Sequence, residues 1–227
     1  MDKARAAGGP TVLRMILGRQ LQALREKAGM SYDDVLPSWF RTLIGLEEAA
    51  SLIRGYDPHS VPGLLQTPGY ARANVQTGFP DAPEEDVARR VDLRLARQHI
   101  LTRPDPPRLW LVIDETVLTR PAPTTGPEVM REQADKLIEA ASRPSITLQV
   151  LPLAAGLHPA VYGPFKVFRF DGHDQPDIVY GESMTSAWYI DKPDETAAYI
   201  QALDRVSAQA APAADTVKIL TEIRKEL

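Results

Sequence analysis

Asp114 and Glu115 follow directly on the apolar run Leu109-Trp-Leu-Val-Ile113, and Glu182 closes the shorter run Ile178-Val-Tyr-Gly181. Acids at strand ends project into the crevices where open α/β sheets bind ligands. Crowded together, carboxylates raise one another's proton affinity, which suits general acid or base work near neutral pH. These three acids and His158, a loop histidine between Gly156 and Pro159, are the candidate catalytic groups. If the two strands are neighbours, the four groups meet Arg94, Arg97 and Gln66 in one polar pocket. Such a pocket fits a cationic or hydroxyl-bearing small molecule held by charge-assisted hydrogen bonds. Tyr70, Trp110, Tyr180 and Trp188 complete the candidate ligand contacts as walls. The same residue types also serve structure alone, since arginine–carboxylate pairs tie helices to sheets and aromatics at strand spacing pack; both readings stand open here.

Other chemistries lack their signatures. Cysteine is absent, and the four histidines show neither H-x-x-x-H nor H-E-x-x-H spacing, so no metal site is expected. None of Ser142, Ser145, Ser183 and Ser186 sits in a G-x-S-x-G elbow, and neither a P-loop nor a G-x-G-x-x-G run occurs. Any reaction is therefore expected to need no cofactor. The 227 residues carry a formal charge of -4, so the overall field repels a phosphate backbone. Without cysteine, a signal core or an apolar run of about 20 residues, the chain reads as cytoplasmic, with no membrane partner.

The positioning elements follow from periodicity and punctuation. Leu17, Leu21 and Leu24 have helical spacing, Gly29 stops that helix and Ser31 caps another, like the opening of a helix-turn-helix. Pro37 then arrives where a DNA-reading helix is required, so residues 1–36 read as a truncated remnant and DNA binding by the chain alone is not expected. Residues 37–227 form the second domain. Helices are expected over Phe40–Arg54, over Gln66–Gln76 with Thr67 as cap, from Glu84 to about Leu101, and over Glu128–Arg143, Asp194–Ala210 and Ala213–Glu226. Strands are expected at Arg108–Asp114, buried on both faces, at Ile146–Leu151, and at Phe165–Phe170, Ile178–Tyr180 and Ala187–Ile190. Asp57-Pro-His-Ser-Val-Pro-Gly63 reads as a rigid loop. The fold class is α+β, a helical N-terminal part followed by a small mixed sheet flanked by helices.

Leu46-Glu-Glu-Ala-Ala50, Val61-Pro-Gly-Leu-Leu-Gln-Thr-Pro-Gly-Tyr-Ala-Arg72, Arg94-Leu-Ala-Arg-Gln98, Val112-Ile-Asp-Glu-Thr-Val-Leu118, Gln149-Val-Leu-Pro152 and Val179-Tyr-Gly-Glu182 resemble, in order and spacing, the WhiJ-like group of actinobacterial regulators. In that group a repressor-type helix-turn-helix precedes a C-terminal DUF5753 domain. The resemblance implies a regulator of development or specialised metabolism in a Streptomyces-like bacterium, often with a small acidic partner protein. The expectation is a C-terminal domain that binds a small molecule or partner protein, alone or as a homodimer. The alternatives are a cofactor-independent cyclase, isomerase or hydrolase evolved from it, and a DNA-binding repressor.

Overall fold

The computed structural model describes residues 38–120, 126–172, 175–183 and 185–227. The helix-turn-helix remnant expected at residues 1–36 lies outside these. Six strands form one mixed sheet: β1 (Leu52–Asp57), β2 (Arg108–Asp114), β3 (Ile146–Leu151), β4 (Phe165–Arg169), β5 (Ile178–Glu182) and β6 (Ala187–Ile190), in the order β3-β2-β1-β4-β5-β6. The pairs β1–β2 and β2–β3 are parallel and the other three antiparallel. The carboxyl ends of β1, β2, β3 and β5 consequently share one edge of the sheet with the start of β4.

Helices cover both faces, as the α+β expectation requires. They are α1 (Ser38–Ala49), α2 (Pro68–Gly78), α3 (Glu84–Ala96), α4 (Thr116–Thr119), α5 (Pro127–Ala141), α6 (Pro193–Gln209) and α7 (Thr216–Glu226). On one face Leu43 and Leu46 of α1, Leu137 of α5 and Leu220 of α7 pack on Ile53, Leu111, Leu148, Phe168 and Tyr180. On the other, Leu203 and Val206 of α6 pack on Tyr56, Val112, Val167 and Val179. A satellite core of Ala71, Val75, Val87 and Val91 joins α2 to α3. Arg224 of α7 and Asp135 of α5 form an ion pair across the surface of the first layer.

Three expectations need correction. The helix read over Phe40–Arg54 ends at Ala49, and Leu52–Asp57 is the strand β1, at the centre of the sheet. Leu52, Ile53 and Tyr56 satisfy a helical or an extended pattern equally well, and pairing with β2 and β4 on both sides decides for the strand. The helix read as far as Leu101 is α-helical only to Ala96 and finishes as the 3₁₀ turn Arg97–Leu101. Strand β2 is not buried on both faces throughout, because Arg108 and Trp110 are exposed on the α6 side. The start of α2 is as read: the Thr67 hydroxyl accepts from the Tyr70 N–H, and Pro68 occupies the first turn, where a missing N–H costs nothing.

Candidate functional site

Strand parity sorts the carboxylates at the common edge. Asp57 is in register with Ile113, so Asp114, one residue further on, points to the opposite face of the sheet. Strands β2 and β5 are separated by β1 and β4, so the expected meeting of Asp114 and Glu115 with Glu182 does not occur. The edge carries two distinct polar clusters.

The first lies on the α6 face. Tyr56 Oη is 3.0 Å from His158 Nε2 and 3.5 Å from Asp114 Oδ2, while the Thr116 N–H and hydroxyl donate to Asp114 Oδ1 at 2.9 and 2.7 Å. Burial, then the Asp114 charge, pushes the Tyr56 hydroxyl above its usual range, so it stays protonated. Glu115 accepts from the Leu153 N–H at 2.8 Å. These contacts pin the loop after β3 to the ends of β1 and β2. Trp110 lies further down this face, its indole N–H on Gln149 Oε1 at 2.8 Å and Arg54 stacked 4.8 Å from its ring. It is thereby placed away from the other candidate ligand contacts.

The second cluster lies on the α1 face and surrounds a cavity of about 180 Å³. Gln66, Arg94, Arg97, Tyr180 and Glu182, all singled out from sequence, line it, together with Asp57, His59, Asn74 and Lys166, which were not. Two arginines one helical turn apart are treated very differently. Arg97 is 6% exposed and makes a two-pronged bond to Glu47, itself 1% exposed, at 2.9 and 2.7 Å; its guanidinium also stacks 4.8 Å from the Phe40 ring. Among the described residues Arg94 donates to neutral acceptors only, Gln66 Oε1 at 3.1 Å and Asn74 Oδ1. Desolvation, reinforced by the neighbouring Arg97 charge, pushes Arg94 down to about 10, so it remains cationic at neutral pH with no carboxylate bonded to it.

Asp57 is the counterpart in negative charge. Its Oδ2 is sealed from solvent with no hydrogen-bond partner. Burial raises its proton affinity, Lys166 pulls it back in part, and Glu182 and Glu47 add to the rise. Lys166 crosses β1 at Gly55, where an added Cβ would sit 3.2 Å from the lysine Cγ, so the stem of this side chain lies against the bare backbone. Tyr180 donates to Glu182 Oε1 at 2.6 Å, and burial followed by the Glu182 charge holds its hydroxyl protonated.

The wall between Val61 and Thr67 is fixed by side chains from three directions. Gln66 Nε2 donates to Val61 O at 2.7 Å, the Val61 N–H donates to Tyr70 Oη at 3.1 Å, and Gln98 and Lys136 donate to Gln66 O, both at 2.8 Å. Gln133, fully buried, accepts from the Thr67 N–H and donates to Leu65 O, both at 2.8 Å. Gln133→Leu leaves both backbone groups unpaired, and the expected loss is about 1–3 kcal/mol in denaturant unfolding. Tyr70 thus acts through the loop rather than on the cavity. Trp188 lies on the α6 face, beside a second cavity.

Among the described residues no group of three or more His, Asp or Glu side chains could hold a metal ion, and no helix is long and apolar enough to cross a membrane. A family described as a domain of unknown function, DUF5753, matches residues 40–222. The chain belongs to the DUF5753 family. No curated protein and no solved structure matches it. The match begins in α1 and ends in α7, so the DUF5753 domain takes in the whole sheet and every residue of both polar clusters.

Proposed function

We propose that this DUF5753 domain is a binding module for a small molecule bearing a carboxylate, received by Arg94. The observation that supports this most is a desolvated guanidinium, bonded only to two amide oxygens, in the wall of a cavity. Arg94 is half-buried and feels the Glu182 charge only at a distance, so an incoming carboxylate supplies the bonded counter-charge it lacks through two parallel N–H···O bonds. Asp57, Glu182 and His59 around the same space would orient hydroxyl or amine groups on the ligand. The test is titration of the full chain with butyrate and with butyramide, followed by chemical-shift change. Butyrate is expected to bind, butyramide not, and Arg94→Gln to weaken butyrate about 10- to 100-fold. Equal binding of acid and amide, or an unchanged Arg94→Gln, contradicts the proposal.

A second reading, a cofactor-independent acid/base catalyst, is favoured by Asp57. A carboxyl of raised proton affinity, with one oxygen buried and unbonded, in a ligand cavity is what general acids and bases require. Chemical conversion of a bound carboxylate that stops in Asp57→Asn, while binding persists, would separate it from the first.

The WhiJ-like resemblance supports descent from a transcription regulator, and Pro37 supports the view that the chain does not read DNA by itself. A protected operator that weakens steeply with salt would contradict that part.

A further inference from the structure

A second cavity, of about 420 Å³, opens on the α6 face of the sheet beside the polar one. The two share Pro164, Phe165 and Glu182, so they meet around the carboxyl edge of the strands. Their chemistry differs. The second is walled by aromatic rings: Trp188 and Tyr199 with centroids 5.4 Å apart, and Phe165 edge-on to Tyr199 at 5.1 Å. Ala198 and Ala202 of α6 form its small-residue side.

Two features keep this groove open. Trp188 stands opposite Gly181 in the β5–β6 ladder, and a Cβ on that glycine would come within 2.1 Å of the indole. The bare backbone at Gly181 lets the ring lie flat at the boundary between the cavities, 36% exposed. Tyr162 stands at the rim, 98% exposed, next to Gly163 in a left-handed conformation (φ 131°). Exposed aromatic surface lining a concave groove is costly in water unless something apolar covers it.

We propose that the ligand is an amphiphilic carboxylate, with its head on Arg94 and its apolar body passing Glu182 into the groove of Trp188, Tyr199 and Phe165. This rests on the carboxylate reading of the polar cavity and adds the occupant of the second. The two spaces adjoin at Pro164, Phe165 and Glu182, which argues for one molecule reaching from one into the other, and the charge of Arg94 fixes which end lies where.

The experiment is a chain-length series of acetate, butyrate, hexanoate and octanoate, titrated against the full chain, Trp188→Ala, Ala198→Trp and Arg94→Gln. Ala198 is on the exposed surface of α6, so its tryptophan fills the groove without touching the core. Affinity is expected to rise by up to about fourfold per methylene from butyrate onward. Both groove variants should flatten that rise and leave acetate unaffected, while Arg94→Gln weakens every member. Chain-length independence with acetate still bound on Arg94 overturns the groove and spares the head-group reading. A rise with chain length that ignores Arg94→Gln, or one that persists in both groove variants, also overturns it. Failure of all four acids to bind overturns both readings.

Discussion

Glu47→Ala is expected to lower the thermal unfolding midpoint by about 6–20 °C, the largest effect of any single substitution discussed for this domain. Glu47 and Arg97 are 1% and 6% exposed and joined by two hydrogen bonds, so among the described residues each is the other's bonded counter-charge for leaving water. Removing one partner strands a buried charge, which costs about 3–5 kcal/mol. In a domain of this size each kcal/mol moves the midpoint about 2–4 °C. Removing both is different in kind. Glu47→Leu combined with Arg97→Met abolishes the pair and its desolvation together, and is expected to recover most of the loss. Calorimetry of Glu47→Leu, Arg97→Met and the double variant gives the coupling. Equal midpoints for Glu47→Ala and the native chain would show that water reaches the guanidinium.

Asp57→Asn is expected to act in the opposite direction, and only above acidic pH. Burial raises the proton affinity of this carboxyl in the folded chain above that in the unfolded chain, where about 3.9 is ordinary. Below that value both states carry the proton and the group costs nothing. As pH rises from the unfolded value through the raised folded value, the unfolded chain releases its proton before the native state does, and stability falls. The amide escapes this, so Asp57→Asn is expected to be more stable than the native chain at pH 7, by a gain on the order of 1–3 kcal/mol, which vanishes on acidification to about pH 3. Urea unfolding at both pH values measures it. A variant destabilised equally at both would mean that the ionised carboxylate is satisfied in the fold.

The two effects belong to one cavity. The Glu47–Arg97 pair is an internally compensated scaffold, whereas Arg94 and Asp57 line an open space and, among the described residues, have no bonded counter-charge. Stability forgone at such positions is the usual mark of groups kept for a ligand.

Much of this was readable from residue order. The runs Arg108–Asp114 and Ile146–Leu151 are too apolar and too short to be anything but strands, and Thr67-Pro68 punctuates α2 unambiguously. Gln66, Arg94, Arg97, Tyr180 and Glu182 do converge. Asp57 is hidden in the sequence because the residues of β1 also fit the end of a helix and the start of a loop. The signal lies in Gly55-Tyr-Asp-Pro58, an acid closing an extended run, as Asp114 does, but here before a proline. Lys166 and Glu47 could not be read, since their roles depend on register across β1 and on which face of α1 turns inward. Placing Asp114 with Glu182 failed for a similar reason: strand order and parity are set by the sheet, not by the spacing of the acids.

In a crystal structure of the full chain grown with butyrate, both carboxylate oxygens are expected on the Arg94 guanidinium, at about 2.7–2.9 Å, with Gln66 and Asn74 still in place. Arg94 turned onto Asp57 or Glu182, with butyrate absent from the cavity, would contradict the carboxylate reading.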